Sequence, residues 1–333
     1  MTTLLYTHPA CLEHDTGFGH PECPARLTTI LNALRCSPFA ALEWRDAPPA
    51  EMAQLTRIHP QAHVEWLLAR VPRQGHSAID GDTILSPGSG EAALRAAGAA
   101  CAAVDAVLNG EASNAFCAIR PPGHHAEPRQ AMGFCLFGNA AIGAAHARAA
   151  HGLERVAIID FDVHHGNGTQ AAVEQDAGYL YISTHQAHIY PGTGRRDERG
   201  VGNILNLPLM ANSGSADLRH VWQQAIKPAL CAFQPQLIVI SAGFDAHYLD
   251  PLAELNFDED DYAWLTGQIL AVATDCCGGR VVSLLEGGYN LPALATSVAA
   301  HVKALMEAPK AAQRSLVKNI LERQKATRNV AGS

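Results

Sequence analysis

The chain has 333 residues, 48% of them hydrophobic and 17% charged, with a net charge of −8. This length and apolar content suit one large α/β domain or two smaller ones and exclude wholesale disorder. The acidic balance, with no basic block in the body, argues against nucleic acid as the main ligand and is what plain solubility requires. No run of about 18 apolar residues occurs, so no membrane span is expected. The N-terminal Met-Thr-Thr-Leu-Leu-Tyr-Thr-His lacks the basic and apolar regions of a secretion signal. The nine cysteines, an odd number without framework spacing, read as reduced thiols of a cytoplasmic protein.

Along the chain, a helical pattern covers 91–108 and stops at Asn109-Gly110. Short apolar, β-branched runs bounded by turn residues predict buried parallel strands over 115–119, 156–161, 180–183, 237–241 and 281–285. Further helices are predicted over 139–151, ending at Gly152, and over 217–233, with Asp217 as a cap and a kink or break at Pro228. A last one covers 258–276, opening on acids and ending at Gly278-Gly279. The alternation predicts a single α/β domain over 1–333, a mainly parallel sheet flanked by helices, with no internal repeat or linker. The tail 310–333 carries six basic residues (Lys310, Arg314, Lys318, Arg323, Lys325, Arg328) against Glu322. Leu316, Ile320 and Leu321 give it one narrow apolar stripe, which reads as a frayed helix lying on the body, with a binding arm for an acidic partner as the alternative.

Each strand that ends in polar residues ends in residues suited to catalysis. The run 115–119 leads into Arg120-Pro-Pro-Gly-His-His125, and 156–159 into Asp160-Phe-Asp-Val-His-His-Gly-Asn167. The run 237–240 leads into Ser241-Ala-Gly-Phe-Asp245, and 281–285 into Glu286-Gly-Gly-Tyr289. Ligands of open α/β sheets bind outside the carboxyl ends of the strands, so four such ends should share one crevice. Extended residues two apart point the same way, which lets Asp162 and His164 offer an oxygen and a nitrogen to one cation, with Asp245 as a third ligand. Two carboxylates and one imidazole with open positions suit a catalytic Zn²⁺ or Fe²⁺. An Asp at a strand-to-helix turn is often only a cap. Three such ligands together are not explained that way.

Seventeen histidines are many for this length. His8, His59, His63, His76, His146, His151, His220 and His301 read as surface or satisfied core residues. The pair His124-His125 follows a rigid Pro-Pro-Gly turn and suits general acid–base work. Asp160 and Asn167 are natural partners behind the two rings, the carboxylate raising basicity and the amide mainly orienting. Gly287-Gly288 presents Tyr289, whose hydroxyl suits a carbonyl bound at the metal.

Together these residues resemble the histone deacetylase superfamily, with its arginase–deacetylase fold. The stretches that carry the resemblance are His20-Pro-Glu-Cys-Pro-Ala-Arg26, Arg120 to His125, Gly133-Phe-Cys135, Asp160 to Thr169, Tyr190-Pro-Gly-Thr-Gly194, Ser241 to Asp245 and Glu286 to Tyr289. Asn167, where class I enzymes carry Asp, looks like class II enzymes and their bacterial relatives. The resemblance implies zinc at Asp162, His164 and Asp245, one ion per chain. It implies a catalytic pair His124 and His125, His125 being the working acid/base, and a carbonyl-polarising Tyr289. It implies tunnel walls at Phe134 and Tyr190, with Gly133 beside them, and Arg26 at the inner end of the channel. It further implies a structural K⁺ held by oxygens of Asp160, Asp162, His164, Ser183 and Thr184. A substrate-clamping rim Asp falls near Asp80 or Asp82. Leu252, two residues past Asp250 in Asp245-Ala-His-Tyr-Leu-Asp-Pro-Leu252, stands where polyamine-selective relatives carry an acid, and Glu254 follows it.

The implied activity is removal of acyl groups from lysine side chains of a peptide or protein, with small acylated amines such as acetylpolyamines as the alternative substrate. An arginase-like binuclear manganese site lacks carboxylates, because His165, Gly166 and Asn167 hold the positions that would supply them. A catalytically silent metal- or ligand-binding module would need neither the histidine pair nor Tyr289. A homo-oligomer is compatible with the sequence, and neither nucleic acid nor membrane is an expected partner.

Overall fold

The computed structural model describes residues 2–307, so the basic tail 310–333 lies outside the described residues. Its strands are β1 (Thr3–Thr7), β2 (Glu43–Asp46), β3 (Ser77–Ala78), β4 (Ile84–Leu85), β5 (Asn114–Cys117), β6 (Val156–Asp160), β7 (Tyr179–Gln186), β8 (Ile204–Leu209), β9 (Leu237–Ala242) and β10 (Val281–Leu285). Eight of them form one sheet in the order β2-β1-β5-β10-β9-β6-β7-β8, with every pairing parallel. β3 and β4 make a small antiparallel hairpin.

The central strands are runs of Val, Ile, Leu and Ala because both faces are covered. One group of helices packs together from Ser89–Leu108 and Asn139–His151. Another packs together from Pro24–Leu34, Glu259–Cys277 and Leu291–Met306. All five predicted strands and the helices over 91–108, 139–151 and 258–276 occur within a few residues of their expected bounds. β1, β2 and β8 were not predicted, nor were the helices Pro24–Leu34 and Leu291–Met306.

Two expectations for the segment 217–233 resolve differently. Asp217 is not the cap; it sits at the third helical position, and its carboxylate reaches back to accept the Gly214 N–H at 3.0 Å. At Pro228 the helix neither stops nor sharply breaks. It widens into a π turn over Trp222–Ile226, with the Lys227 N–H donating to the Trp222 carbonyl. Proline cannot donate to the carbonyl four residues back, and the wider turn accommodates its ring.

The topology builds the crevice. The chain lays down β5 and then β6 with a gap between them, and β9 and β10 later fill it. The four strands that run into polar residues are thereby consecutive neighbours. Their ends are also level: Asp160 lies opposite both Ser183 and Ser241, and Ser241 lies opposite Leu284.

A buried ionic knot ties the N-terminal segment to these ends. Glu22, Arg26 and Arg120 are all fully buried. Glu22 accepts from Arg26 Nη1 at 3.0 Å and from Arg120 Nη2 at 2.7 Å. Arg120 also donates to the carbonyls of Cys11 and His14, and Arg26 to those of Gly288 and Glu286. Burial alone would raise the Glu22 carboxyl, but Arg120 and Arg26 outweigh it and hold it at about 2, below its ordinary 4.5. A depressed carboxylate contributes stability that is complete above 4.5 and is lost as pH falls toward 2. Glu22→Ala, which strands two buried guanidinium groups, should lower unfolding stability by about 3–5 kcal/mol in urea titrations. In Glu22→Gln, unfolding free energy should depend less on pH between 4.5 and 2 than in the wild type; identical slopes would contradict the assignment.

Candidate active site

The three candidate ligands converge. His164 Nδ1 lies 3.2 Å from Asp162 Oδ1 and 3.2 Å from Asp245 Oδ2, and the three side chains are buried, with ligand atoms all within 4.8 Å of one another. Each carboxylate spends its other oxygen on the backbone: Gly287 N–H donates to Asp162 Oδ2 at 2.8 Å, and Val163 N–H to Asp245 Oδ1 at 2.9 Å. The remaining oxygen of each acid faces the imidazole nitrogen, that of Asp162 also accepting the His164 N–H at 2.9 Å; two carboxylate oxygens and one imidazole nitrogen are a donor set that suits a divalent transition metal. The cradle has no room to spare. A Cβ on Gly243 would stand 2.1 Å from Asp162 Oδ2, and one on Gly287 would stand 2.1 Å from Asp245 Oδ2.

A second acid–histidine group, Asp105 with His146 and His151, joins two helices on the outside. Both Nε2 atoms lie 2.6 Å from Asp105 Oδ1. Arg57 donates to His146 Nδ1 at 2.7 Å. The His146 ring proton therefore sits on Nε2, pointing at Asp105, and the ring's one lone pair, on Nδ1, is taken by Arg57 and not free for a cation. His146 and His151 are satisfied histidines, as expected.

His124 and His125 leave the Pro-Pro-Gly turn with ring centroids 4.0 Å apart. The turn is held by Glu286, whose Oε2 accepts the N–H groups of Gly123 (2.7 Å) and His124 (3.1 Å), while Oε1 accepts from Ser241 Oγ (3.0 Å). Burial pushes the Glu286 carboxyl up to about 7. Behind the rings, His124 Nδ1 meets Asp160 Oδ2 at 3.1 Å and His125 Nδ1 meets Asn167 Oδ1 at 2.8 Å. Asp160 is itself held by the Tyr181 hydroxyl at 2.9 Å. Burial would lower His124, but the carboxylates of Asp162 and Asp160 outweigh it and hold the ring well above the usual range. Burial, joined by the charges of His124 and His164, pushes His125 well below it. Two adjacent imidazoles are thus pushed in opposite directions.

A cavity of about 240 Å³ opens onto this centre, lined by Asp82, His125, Gly133, Phe134, His164, Tyr190, Leu252 and Tyr289. Met132 and Cys135 exchange both backbone hydrogen bonds around Gly133 (φ 57°) and Phe134 (φ 67°). This is a two-residue hairpin turn with both central residues left-handed. Gly133 has no alternative, because a Cβ there would meet His125 Cδ2 at 2.6 Å and the Tyr190 hydroxyl at 2.8 Å. Phe134 is held edge-on by His20 (4.7 Å) and Tyr289 (6.0 Å). Opposite, Tyr190 stands edge-on to His125 at 5.0 Å. Burial pushes the Tyr289 hydroxyl well above its usual value even with Arg26 beside it, so it keeps its proton.

Arg26 does not line the cavity; its guanidinium carbon lies 4.8 Å from the centre of the Tyr289 ring, behind it. Ser183 and Thr184 are buried on β7, Ser183 Oγ bonding His185 Nδ1 at 2.8 Å. Of the two rim acids, Asp82 lines the cavity, whereas Asp80 Oδ1 accepts the N–H groups of Asp82 and Thr83 and builds the turn. Leu252 lines the mouth; Glu254 is exposed and outside the lining.

Three carboxylates with structural duties at the site escaped sequence reasoning. Glu286 holds the histidine turn and Glu22 the Arg26–Arg120 knot. Asp250 accepts from Tyr289 N–H (2.7 Å), Asn290 N–H (3.3 Å) and Leu252 N–H (3.0 Å). The only available signal for Glu286 and Glu22 was their place inside the motifs themselves.

The histone deacetylase domain matches residues 20–305, a span that contains every side chain lining the cavity. The chain belongs to the histone deacetylase family, and with it to the deacetylases and amidohydrolases, a class of hydrolases. A histone deacetylase-like amidohydrolase of Pseudomonas aeruginosa is 43% identical over 278 residues, covering 82% of this chain and 73% of its own. The polyamine deacetylase HDAC10 of Homo sapiens is 36% identical over 332 residues, covering 93% of this chain and 49% of its own. The crystal structure of an HDA15 HD domain matches with a TM-score of 0.88 at 35% identity, covering 93% of this chain and 90% of that one.

Removing the Glu286 carboxylate tests whether it is the clamp on the histidine turn. Glu286→Ala leaves two buried N–H donors without an acceptor and should cost about 1–3 kcal/mol for each. Glu286→Gln can still accept both through its amide oxygen and donate to Ser241, so its urea midpoint should stay near the wild type. Equal midpoints for Ala and Gln would rule the clamp out.

Proposed function

We propose that the chain is a zinc-dependent deacylase of N6-acyl-lysine side chains. The observation that carries this reading is the convergence of Asp162, His164 and Asp245 on one point beside His125 and Tyr289, at the apolar cavity. Zn²⁺ held by those three residues would supply a Lewis acid for the amide carbonyl and lower the pKa of a water to about 7.

The chain's own residues do the rest. With its Nδ1 proton donated to Asn167 Oδ1, His125 has an Nε2 lone pair free to take the proton of the attacking water. His124, held protonated against Asp160 and Asp162, stabilises negative charge beside it. Tyr289 donates its hydroxyl to the carbonyl oxygen as that atom gains charge. As the C–N bond breaks, the proton taken by His125 passes to the leaving amine nitrogen. Phe134 and Tyr190 wall the methylene stem and exclude water. We place the structural K⁺ among the oxygens of Asp160, Asp162, His164, Ser183 and Thr184.

Lysine is favoured because Leu252 gives the mouth an apolar edge that offers a second ammonium nothing. One observation favours the alternative, an acetylpolyamine substrate: Asp82 also lines the cavity and supplies a carboxylate there.

Purified protein should contain one divalent metal ion per chain, lost on Asp245→Ala; full retention in that variant would remove the ligand assignment. Tyr289→Phe should fold normally and lose roughly 10²–10³ in kcat, the usual effect of deleting one oxyanion donor. For substrate class, kcat/KM should be compared for an acetyl-lysine peptide, N-acetylputrescine and N8-acetylspermidine. The peptide should lead in wild type, and Leu252→Glu should shift preference toward the polyamines. A polyamine preference of about tenfold in the wild type, about 1.4 kcal/mol, would reverse the assignment.

A further inference from the structure

The bond between His125 and Asn167 does not by itself define the state of the imidazole. An amide offers a carbonyl oxygen on one side and an NH₂ group on the other, nearly identical in shape. With oxygen toward His125, the ring proton sits on Nδ1 and Nε2 faces the cavity as an acceptor. With the NH₂ group toward His125, Nδ1 accepts, the proton moves to Nε2, and the ring faces the cavity as a donor. The two orientations give opposite chemistry at the same position.

The other end of the amide decides between them. Asn167 Nδ2 lies 2.8 Å from Glu127 Oε1 and 3.4 Å from Met132 Sδ. An ionised carboxylate accepts and cannot donate. Turning the amide would set its oxygen against that carboxylate at hydrogen-bond distance and leave the NH₂ group's partners unserved. Glu127 is placed for this by a tight turn in which it exchanges backbone hydrogen bonds with Gln130. The turn is anchored by His59, whose Nδ1 bonds the Pro128 carbonyl at 3.2 Å and whose Nε2 accepts the Gly138 N–H at 2.9 Å.

We infer that Glu127 is a positioning residue for the reaction: by fixing the orientation of the Asn167 amide it fixes His125 as the Nδ1–H tautomer with Nε2 free. The inference rests on the reading of His125 as the proton acceptor. Glu127 also places a negative charge one amide away from the ring, so that asparagine, neutral itself, relays part of what a carboxylate in its place would supply. The same contact makes the combination exclusive, because an aspartate at 167 would face Glu127 as a like charge across the distance the amide now bridges.

The experiment is a two-by-two set, Glu127→Gln, Asn167→Asp and the double variant, with steady-state kinetics on an acetyl-lysine peptide and an acetylpolyamine. It is combined with ¹⁵N NMR of the histidine ring nitrogens in zinc-loaded protein. Glu127→Gln lets the amide turn and should lower kcat about tenfold with KM little changed, as for other residues that orient a reacting group. Its His125 nitrogen shifts should move from the Nδ1–H pattern toward a mixture. In the Asn167→Asp background the sign reverses: adding Glu127→Gln should raise kcat. The same factor of loss in both backgrounds would overturn the inference. So would a wild-type spectrum with the His125 proton on Nε2, a result that needs no variant to fold. Absence of hydrolysis of both substrates by the wild type, with the Nδ1–H pattern intact and sensitive to Glu127→Gln, would defeat the proposed function and leave the positioning role standing.

Discussion

The structure is organised around negative charge that has been taken out of water. Asp160, Asp162, Asp245 and Glu286 are fully buried within reach of one another at the ends of β6, β9 and β10. Carboxylates in such a place persist only when every oxygen has a partner. The partners here are backbone N–H groups of the strand-end loops, the Tyr181 and Ser241 hydroxyls, and two imidazoles. Loops that would otherwise be mobile are thereby drawn to fixed positions. Asp245 Oδ2 faces only the His164 ring, and Asp162 Oδ1 faces the same ring while accepting the His164 N–H at 2.9 Å, so a cation at that point would complete the neutralisation.

The same constraint separates two side chains that are neighbours in the chain. His124 and His125 differ in what stands behind them: a carboxylate for one, an amide for the other. The carboxylates of Asp160 and Asp162 push His124 up, whereas burial first, and then the charge of its neighbour, pushes His125 down. Opposite shifts thus arise from placement alone, with no difference in residue type.

Much of this was legible in the sequence because the determinants are local. A β-branched run followed by Asp-x-Asp-x-His states both a strand and the direction of its ligands. What stayed hidden lacks such a signature. β2 reads Glu-Trp-Arg-Asp and is an edge strand with little apolar character. β8 carries Asn206 and Pro208 and is the opposite edge, where a proline is tolerated. Asp250 and Glu127 act by accepting N–H groups from residues they meet only after folding. A surface-type turn around an acid looks the same in sequence whether it faces solvent or an active-site amide. Asp80 and Asp82 illustrate the limit: adjacent in pattern, one builds the turn and the other reaches the cavity.

The Asp250 carboxylate is shared between two loops, one bearing Leu252 at the mouth and the other bearing Tyr289 at the centre. Entrance and chemistry are therefore one mechanical unit. A change that moves the backbone at the portal pulls on the same carboxylate that seats the Tyr289 backbone, so the two loops are not free to be reshaped independently in this scaffold. Lineages that acquire a new guest at the doorway must retune the interior in the same steps, and that linkage narrows the routes by which one member of the fold becomes another.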